Sequence, residues 1–267
     1  MTPEQGSRPA TLRFEGERAK ALEAIYVTPD VVAQRRAVLA ALDPRPGERV
    51  LDLGVGPGLL AAAIAERVGA GGGLTGIDVS PDMLAIAAGR RLAHGAATPA
   101  FHVASVTDLP FPDGAFDAAV CTQVYEYVED MPRALGEAAR VLRPGGRLAV
   151  LDTDWDSIVW RSSDDARMAR VLAAWDAHLV HRGLPRELPE LLRGAGFDVT
   201  GVAVVPLLNV GYDPQTYSAG MRDLIAEFVT DHGVPAGEVA AWRDDLRSLG
   251  DRSFFSLNRY LFTAVRP

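Results

Sequence analysis

Short apolar runs alternate with longer segments of helical periodicity in the middle of the chain, between Arg49 and Asp152. The helical segments are predicted to begin near Leu59, Pro81 and Met131. Strands are predicted at 50–53, 74–78, 100–103, 116–122 and 147–152. Alternation of this kind is typical of right-handed βαβ crossovers. We therefore expect an α/β protein whose parallel sheet is covered by helices on both faces.

The region before this core is predicted to be helical. Residues 17–42 have a helical pattern that is broken at Thr28-Pro29, because proline disfavours the helical conformation of the residue before it. We interpret residues 1–42 as an N-terminal helical cap and residues 43–267 as the main domain.

Two late β-rich runs, 199–208 and 254–265, are separated by a segment that is too long for an ordinary connection. Within this segment, residues 209–251, helical patterns occur near 217–230 and 235–249. We therefore interpret residues 209–251 as a helical lid inserted between two late strands.

Composition narrows the class of protein. The 267 residues are 48% hydrophobic and carry a net charge of −8, which disfavours a nucleic-acid partner. Cys121 is the single cysteine, so no intramolecular disulfide can form, and no spacing typical of a metal site is present. No apolar run has the length of a membrane span. We expect a cytoplasmic enzyme or binding protein without a membrane partner or a metal; the sequence does not indicate its oligomeric state.

A glycine-rich turn follows the first predicted strand. Gly54, Gly56 and Gly58 stand at alternate positions between this strand and a helix, where missing side chains let a ligand approach the backbone. The spacing is GxGxG and differs from the GxGxxG of dinucleotide folds. Asp52 precedes the loop, and its carboxylate would repel a pyrophosphate but suits an ammonium or a sulfonium. The loop therefore disfavours a nicotinamide cofactor.

An acidic residue, Asp78, ends the second predicted strand. A carboxylate at this place can accept both hydroxyl groups of a ribose, and Val79 and Met83 would then flank an adenine. A cap on the following helix is the alternative role of Asp78.

Further along the chain, residues 104–111 and 113–117 surround the fourth predicted strand, and residues 140–147 form a turn before the fifth. With the glycine loop and Asp78, these segments resemble the class I S-adenosylmethionine (SAM)-dependent methyltransferases, in particular the members that act on small molecules. The resemblance implies a Rossmann-like seven-stranded sheet in the order 3-2-1-4-5-7-6, with strand 7 antiparallel.

The resemblance also implies roles for individual residues. The three glycines would pass under the methionine part of SAM, with Asp52 near its amino group through water, and Asp78 would hold the ribose. Ser105 and Val106 would contact the adenine edge, and Gln123 would line the methionine side. Ser105 departs from the acidic residue that is usual in the family at this position.

The methyl acceptor is expected over the carboxyl ends of strands 4 and 5. Asp154 and Glu126 are the candidate general bases there, although a turn cap for Asp154 and a solvated acid for Glu126 remain open. Tyr26, Tyr125 and Trp155 are candidate walls of the acceptor site. Methyl transfer needs alignment first and a base only where the acceptor must lose a proton. Lid residues that could line the site are Tyr212, Tyr217, Met221 and Phe228.

The acceptor is expected to be a small, partly apolar organic molecule. The segment after strand 4 reads Thr122-Gln123-Val124-Tyr125 and lacks the Asp/Asn-Pro-Pro-Tyr/Phe pattern of members that methylate amino groups of nucleic acids and proteins. Two alternatives to methyl transfer remain: a SAM-binding relative that catalyses a cyclisation or rearrangement, and a non-catalytic binding subunit.

Overall fold

The computed structural model describes residues 22–267, and their strands form a sheet of order β3-β2-β1-β4-β5-β7-β6. β7 is antiparallel to both of its neighbours, whereas β1, β2, β3, β4 and β5 pair in parallel. The strands are β1 (Arg49–Leu53), β2 (Gly73–Asp78), β3 (Pro99–Val103), β4 (Phe116–Thr122), β5 (Leu142–Trp160), β6 (Asp198–Val210) and β7 (Phe254–Val265). The predicted fold class and strand order are confirmed.

The helices connect these strands and lie on both faces of the sheet. Leu51 and Leu53 of β1 pack on one face with the fourth and sixth helices, and Val50 packs on the other face with the first and second. The helices are α1 (Pro29–Leu42), α2 (Leu59–Val68), α3 (Pro81–Ala88), α4 (Met131–Val141), α5 (Asp165–Trp175), α6 (Leu184–Gly194), α7 (Tyr217–Asp231) and α8 (Ala236–Ser248).

The starts of α2, α3 and α4 agree with the prediction, and side-chain caps define those of α3 and α4. The Ser80 side chain accepts a hydrogen bond from the Met83 backbone nitrogen at 3.3 Å, and Pro81 occupies the first turn of α3. The Asp130 side chain caps α4 by accepting from the Arg133 nitrogen at 3.0 Å. Such caps fix where a helix begins independently of tertiary packing.

The fifth strand is much longer than the predicted range 147–152. β5 continues to Trp160 because β7 pairs with it beyond the bulge between Asp154 and Val159. The polar residues between these two positions end the apolar pattern, so periodicity alone could not show that the backbone pairing continues.

Residues 22–26 are helical, the helix breaks at 27–28, and α1 begins at Pro29, so the predicted break is present. The part of the predicted cap at residues 1–21 lies outside the described residues. α7 and α8 connect β6 to β7 and share an apolar core with α5 and with residues 22–31. Contact is close where α7 meets the cap, since a Cβ on Gly220 would lie 2.5 Å from Ile25 Cγ1.

Candidate active site

A cavity of about 620 Å³ opens at the carboxyl ends of β1, β2 and β4. The glycine loop, the strand ends and residues 122–130 form one side of it, and the helical residues between 22 and 38 form the other. The volume falls in the range of small-molecule sites, about 300–1,000 Å³. Among residues 22–267, no helix is long and apolar enough to cross a membrane, and no cluster of side chains suits a metal ion.

The glycine loop forms the floor of the cavity at Gly56. Gly56 has a φ of +51°, and a Cβ built on it would meet no atom within 4 Å. The backbone there is therefore open to a ligand, because no side chain covers it.

The other two glycines of the loop face the protein. A Cβ on Gly54 would lie 2.2 Å from Val124 Cγ2, and one on Gly58 would lie 2.7 Å from Ala87 Cβ. Gly54 also lines the cavity, but Gly58 does not. The absence of a side chain at Gly58 allows α2 to approach α3 closely, which corrects its predicted role as a ligand contact.

Asp78 lies on the cavity wall where β2 ends. Its Oδ2 accepts a hydrogen bond from the Gly56 nitrogen at 2.9 Å, and its Oδ1 accepts one from the Ser80 nitrogen at 2.9 Å. Burial raises the pKa of Asp78, and these backbone donors oppose that shift. Each carboxylate oxygen retains a lone pair for a ligand hydroxyl.

The predicted adenine contacts also line the cavity. Val79 is largely exposed at the mouth, and Met83 is buried against the apolar core. Ser105 and Val106 follow β3; the Ser105 hydroxyl contacts the Thr107 hydroxyl at 2.8 Å and accepts from the Thr107 nitrogen at 3.2 Å. All four residues therefore line the same cavity.

Asp52 lies behind the glycine loop and is not part of the cavity surface. Its side chain is buried, and neither carboxylate oxygen has a hydrogen-bond partner among residues 22–267. Burial, together with the nearby charge of Asp78, raises the pKa of Asp52 to about 7. A buried carboxyl group without a donor is unusual and fits a cationic or donor group near the loop.

Gln123 lines the cavity directly after β4 in a left-handed conformation, with a φ of +57°. This conformation is uncommon for residues other than glycine and is concentrated at functional sites. Its side-chain Oε1 accepts a hydrogen bond from the Thr153 hydroxyl at 2.7 Å, and its backbone nitrogen donates to Leu151 O at 2.8 Å. The side chain is thereby fixed to β5 at Thr153.

The structure places Asp154 outside the cavity. Both of its carboxylate oxygens accept hydrogen bonds from Arg186 Nη2, at 2.8 and 3.0 Å, and Oδ1 also accepts from the Asp156 nitrogen at 3.2 Å. Asp154 is 6% exposed and joins β5, where its bulge begins, to α6. This position corresponds to the turn-cap interpretation and not to a base that faces an acceptor.

Glu126, Tyr125 and Trp155 are also absent from the cavity surface. Glu126 Oε2 accepts a hydrogen bond from Trp155 Nε1 at 2.9 Å in the interior, and burial raises the pKa of Glu126. Tyr125 is fully buried between the sheet and α4. The prediction assumed that the residues after a strand end all face the ligand. Residues Tyr125–Tyr127 instead form a short 3₁₀ turn, and of these three residues only Tyr127 lines the cavity.

Tyr26 lines the cavity, as do many residues that the sequence analysis did not select. Among them are Gln34 and Arg35 of α1, Tyr127, and Arg259 of β7. The sequence contains one indication of a special role for Arg259, because it is a charged residue in the middle of an apolar strand. The lid residues Tyr212, Tyr217, Met221 and Phe228 do not line the cavity. The helical residues 22–38 cover it instead.

Comparison with known proteins identifies the domain. Residues 51–150 match the methyltransferase domain family. An uncharacterized 37.1 kDa protein of transposon TN4556 from Streptomyces fradiae is 35% identical over 84% of this chain and 65% of its own length. The demethylmenaquinone methyltransferase of Thermus thermophilus is 46% identical over 46% of this chain and 54% of its own length. The chain thus spans about half to two thirds of these relatives.

Among solved structures, the [4+2]-cyclase SpnF is 27% identical, with a TM-score of 0.56 over 89% of this chain and 82% of its own. The match at residues 51–150 covers the glycine loop, Asp78 and the end of β4, and the sheet around it has the strand order that the resemblance implied. The chain therefore contains a methyltransferase domain of the class I, SAM-dependent family.

Proposed function

We propose that this protein transfers the methyl group of SAM to a small, partly apolar organic acceptor. The observation that carries the proposal is the pairing of Asp78 with the open backbone of Gly56 on one wall of the cavity. A carboxylate that is held by two backbone donors and still has lone pairs suits a ribose, and an adjacent surface without a Cβ suits a ligand that lies flat against it.

The buried carboxyl group of Asp52 also fits this cofactor. Its orphaned oxygens lie behind the glycine loop, where the amino group of SAM could be bound through water. An ammonium or sulfonium near Asp52 would stabilise the carboxylate form, which burial and Asp78 otherwise disfavour. Gln123 would complete the methionine side, since Thr153 fixes its amide.

The adenine would lie between Val79 and Met83, with Ser105 and Val106 at its edge. The cofactor supplies a methyl group that is already activated by its sulfonium, so the protein must mainly align the acceptor and exclude water. The apolar side of the cavity can do both, because Val31, Val38 and Val124 contribute to it. The related Thermus enzyme is named for a menaquinone precursor, which agrees with a partly apolar acceptor.

Thermal unfolding tests cofactor binding, since a ligand that binds only the folded state raises the melting temperature. We expect a shift of several degrees with S-adenosylhomocysteine in excess and none with NADH. No shift at saturating S-adenosylhomocysteine would contradict the proposal.

Cyclisation is a second candidate function, favoured by the similarity to the [4+2]-cyclase SpnF over most of the chain. The mass of the product separates the two reactions. A product that is heavier than the substrate by one methylene unit indicates methyl transfer, whereas an unchanged mass indicates cyclisation or rearrangement.

A further inference from the structure

Arg259 lies in the middle of β7, where it pairs with Thr153 of β5 and Val205 of β6. Its side chain is 2% exposed and reaches the surface of the cavity. Burial of a guanidinium costs free energy unless a negative charge or a full set of acceptors compensates it. The partners of Arg259 therefore indicate what the cavity accepts.

All the hydrogen-bond partners of Arg259 within residues 22–267 are neutral. Nε donates to Thr153 Oγ1 at 3.2 Å, Nη2 donates to the Tyr217 hydroxyl at 2.9 Å, and Nη1 donates to Gln34 Oε1. The guanidinium also lies 4.8 Å from the centre of the Tyr217 ring. Each terminal nitrogen carries a second N–H, and no group in the described part of the chain accepts it.

Two buried carboxyl groups lie near enough to interact with the charge of Arg259, but neither forms an ion pair with it in the described chain. Glu126 accepts its hydrogen bond from Trp155, and burial raises its pKa despite the opposing effect of Arg259. Burial raises the pKa of Asp152 well above its usual range. Since neither carboxyl group forms a hydrogen bond with Arg259 in the described residues, neither occupies its remaining terminal N–H groups.

We propose that Arg259 binds a negatively charged oxygen of the methyl acceptor, either a carboxylate or the oxygen of an ionised phenol or enol. The inference rests on the proposed function and specifies its substrate class. Two terminal N–H groups in one plane match the oxygens of a carboxylate. The sulfonium of SAM would add a second positive charge to the same cavity, so an anionic acceptor is favoured there although the chain has a net charge of −8.

A second arginine of the cavity, Arg35 of α1, lies near Arg90, which contacts the glycine loop. Arg35 Nη1 donates to Tyr26 O at 3.2 Å, and burial, together with the nearby charge of Arg90, lowers the pKa of Arg35. Arg90 in turn donates to the Pro57 carbonyl of the glycine loop. The partners of Arg259, by contrast, are Thr153 of β5, Gln34 of α1 and Tyr217 of α7, and none of them belongs to the glycine loop, which leaves Arg259 for the acceptor.

The test compares anionic probes with neutral analogues of the same shape, using calorimetry on the full chain saturated with S-adenosylhomocysteine. Cinnamate and cinnamamide form the carboxylate arm; 4-nitrophenol and 4-nitroanisole at pH 8.5 form the phenolate arm. We expect at least one anion to bind about tenfold more tightly than its neutral analogue, as a charge-assisted hydrogen bond allows. The arm that shows the preference identifies the source of the charge.

Arg259→Gln should abolish this preference and change the affinity for S-adenosylhomocysteine by less than about threefold. Arg222→Gln is the matched control, because Arg222 is 5% exposed, bonds Tyr212 and Asp223, and does not line the cavity. It should keep the preference for anions. A loss of S-adenosylhomocysteine affinity in Arg259→Gln with an intact preference would assign Arg259 to the cofactor and overturn the proposal.

The comparison of anions with neutral analogues uses the wild type, so it tests the role of Arg259 even if Arg259→Gln does not fold. Equal affinities for anions and neutral analogues, or binding of neither, would overturn the inference about the acceptor. The proposed function would still stand in that case if S-adenosylhomocysteine binds. If S-adenosylhomocysteine itself does not bind, the proposed function fails, and the same probe pairs still test Arg259 in the protein alone.

Discussion

Asp154 follows a predicted strand, but its side chain stabilises the packing of the fold and does not face the cavity. The sequence places it directly after an apolar strand, at the edge where α/β enzymes bind ligands. In the structure, Arg186 of α6 donates hydrogen bonds to both Oδ1 and Oδ2 of Asp154, and the Asp154 carboxylate is almost fully buried. A carboxylate in this environment is oriented away from an acceptor.

Asp154→Asn should therefore leave the chemistry almost unchanged. The Arg186 side chain is 56% exposed, so solvent screens the ion pair, and the substitution should cost about 1 kcal/mol or less. Chemical denaturation gives the stability change, and turnover of an identified acceptor against pH gives the catalytic one. A decrease in turnover of about 10²-fold with loss of the low-pH limb would restore Asp154 as a general base.

Asp52 gives the free protein a specific pH dependence. Its pKa is about 7 in the folded chain against 3.8 for an ordinary aspartate, so the folded state binds a proton more tightly than the unfolded state. For this group, stability is greatest below pH 3.8 and decreases as pH rises towards 7. The decrease amounts to about 4 kcal/mol, since each pKa unit corresponds to about 1.4 kcal/mol.

Asp52→Asn removes this titration. Without ligand, the variant should become more stable than the wild type as pH rises above about 4, and its advantage should level off above pH 7. Melting curves of both proteins from pH 4 to pH 8.5 measure the difference. An advantage that does not change with pH would show that Asp52 has an ordinary pKa.

At the scale of elements, local signals and long-range pairing differ in what the sequence reveals. The starts of α3 and α4 were predictable because serine and aspartate caps act within one turn. The extension of β5 was not, because it depends on pairing with β7, about a hundred residues away in the chain. The cover of the cavity was misassigned for the same reason: helical patterns at 217–230 and 235–249 do not show which surface these helices pack against.

The contact between α7 and the cap allows a test of how the inserted helices affect the cavity. A side chain on Gly220 would displace Ile25, and the neighbouring Leu22 and Tyr26 line the cavity. Gly220→Val should therefore weaken binding of S-adenosylhomocysteine, by up to about tenfold, because overpacking costs about 1–3 kcal/mol.

Gly237→Val of α8 is the control for this experiment, because a Cβ on Gly237 would meet no atom within 4 Å. Calorimetry on both variants, with circular dichroism to confirm folding, measures the effect. If the two variants bind equally well, the inserted helices do not support the cavity wall.

At the scale of the whole molecule, the cavity joins segments that are remote in the chain. The glycine loop and Asp78 lie within one βαβ unit, so their spacing in the sequence already predicts a shared site. Gln34 and Arg259 are 225 residues apart and meet only because β7 inserts between β5 and β6. The cofactor side of the site was therefore predictable from the sequence, whereas the acceptor side required the complete fold.

Calorimetric titration of S-adenosylhomocysteine into the wild type, Asp78→Ala and Asp198→Ala tests the central claim most directly. Asp198 is exposed at the start of β6 and serves as the control. We predict that the wild type and Asp198→Ala bind alike, and that Asp78→Ala loses about 2–4 kcal/mol of binding free energy with its two charge-assisted hydrogen bonds to the ribose. Equal affinity in all three folded proteins would contradict the assignment of the cavity as a SAM site.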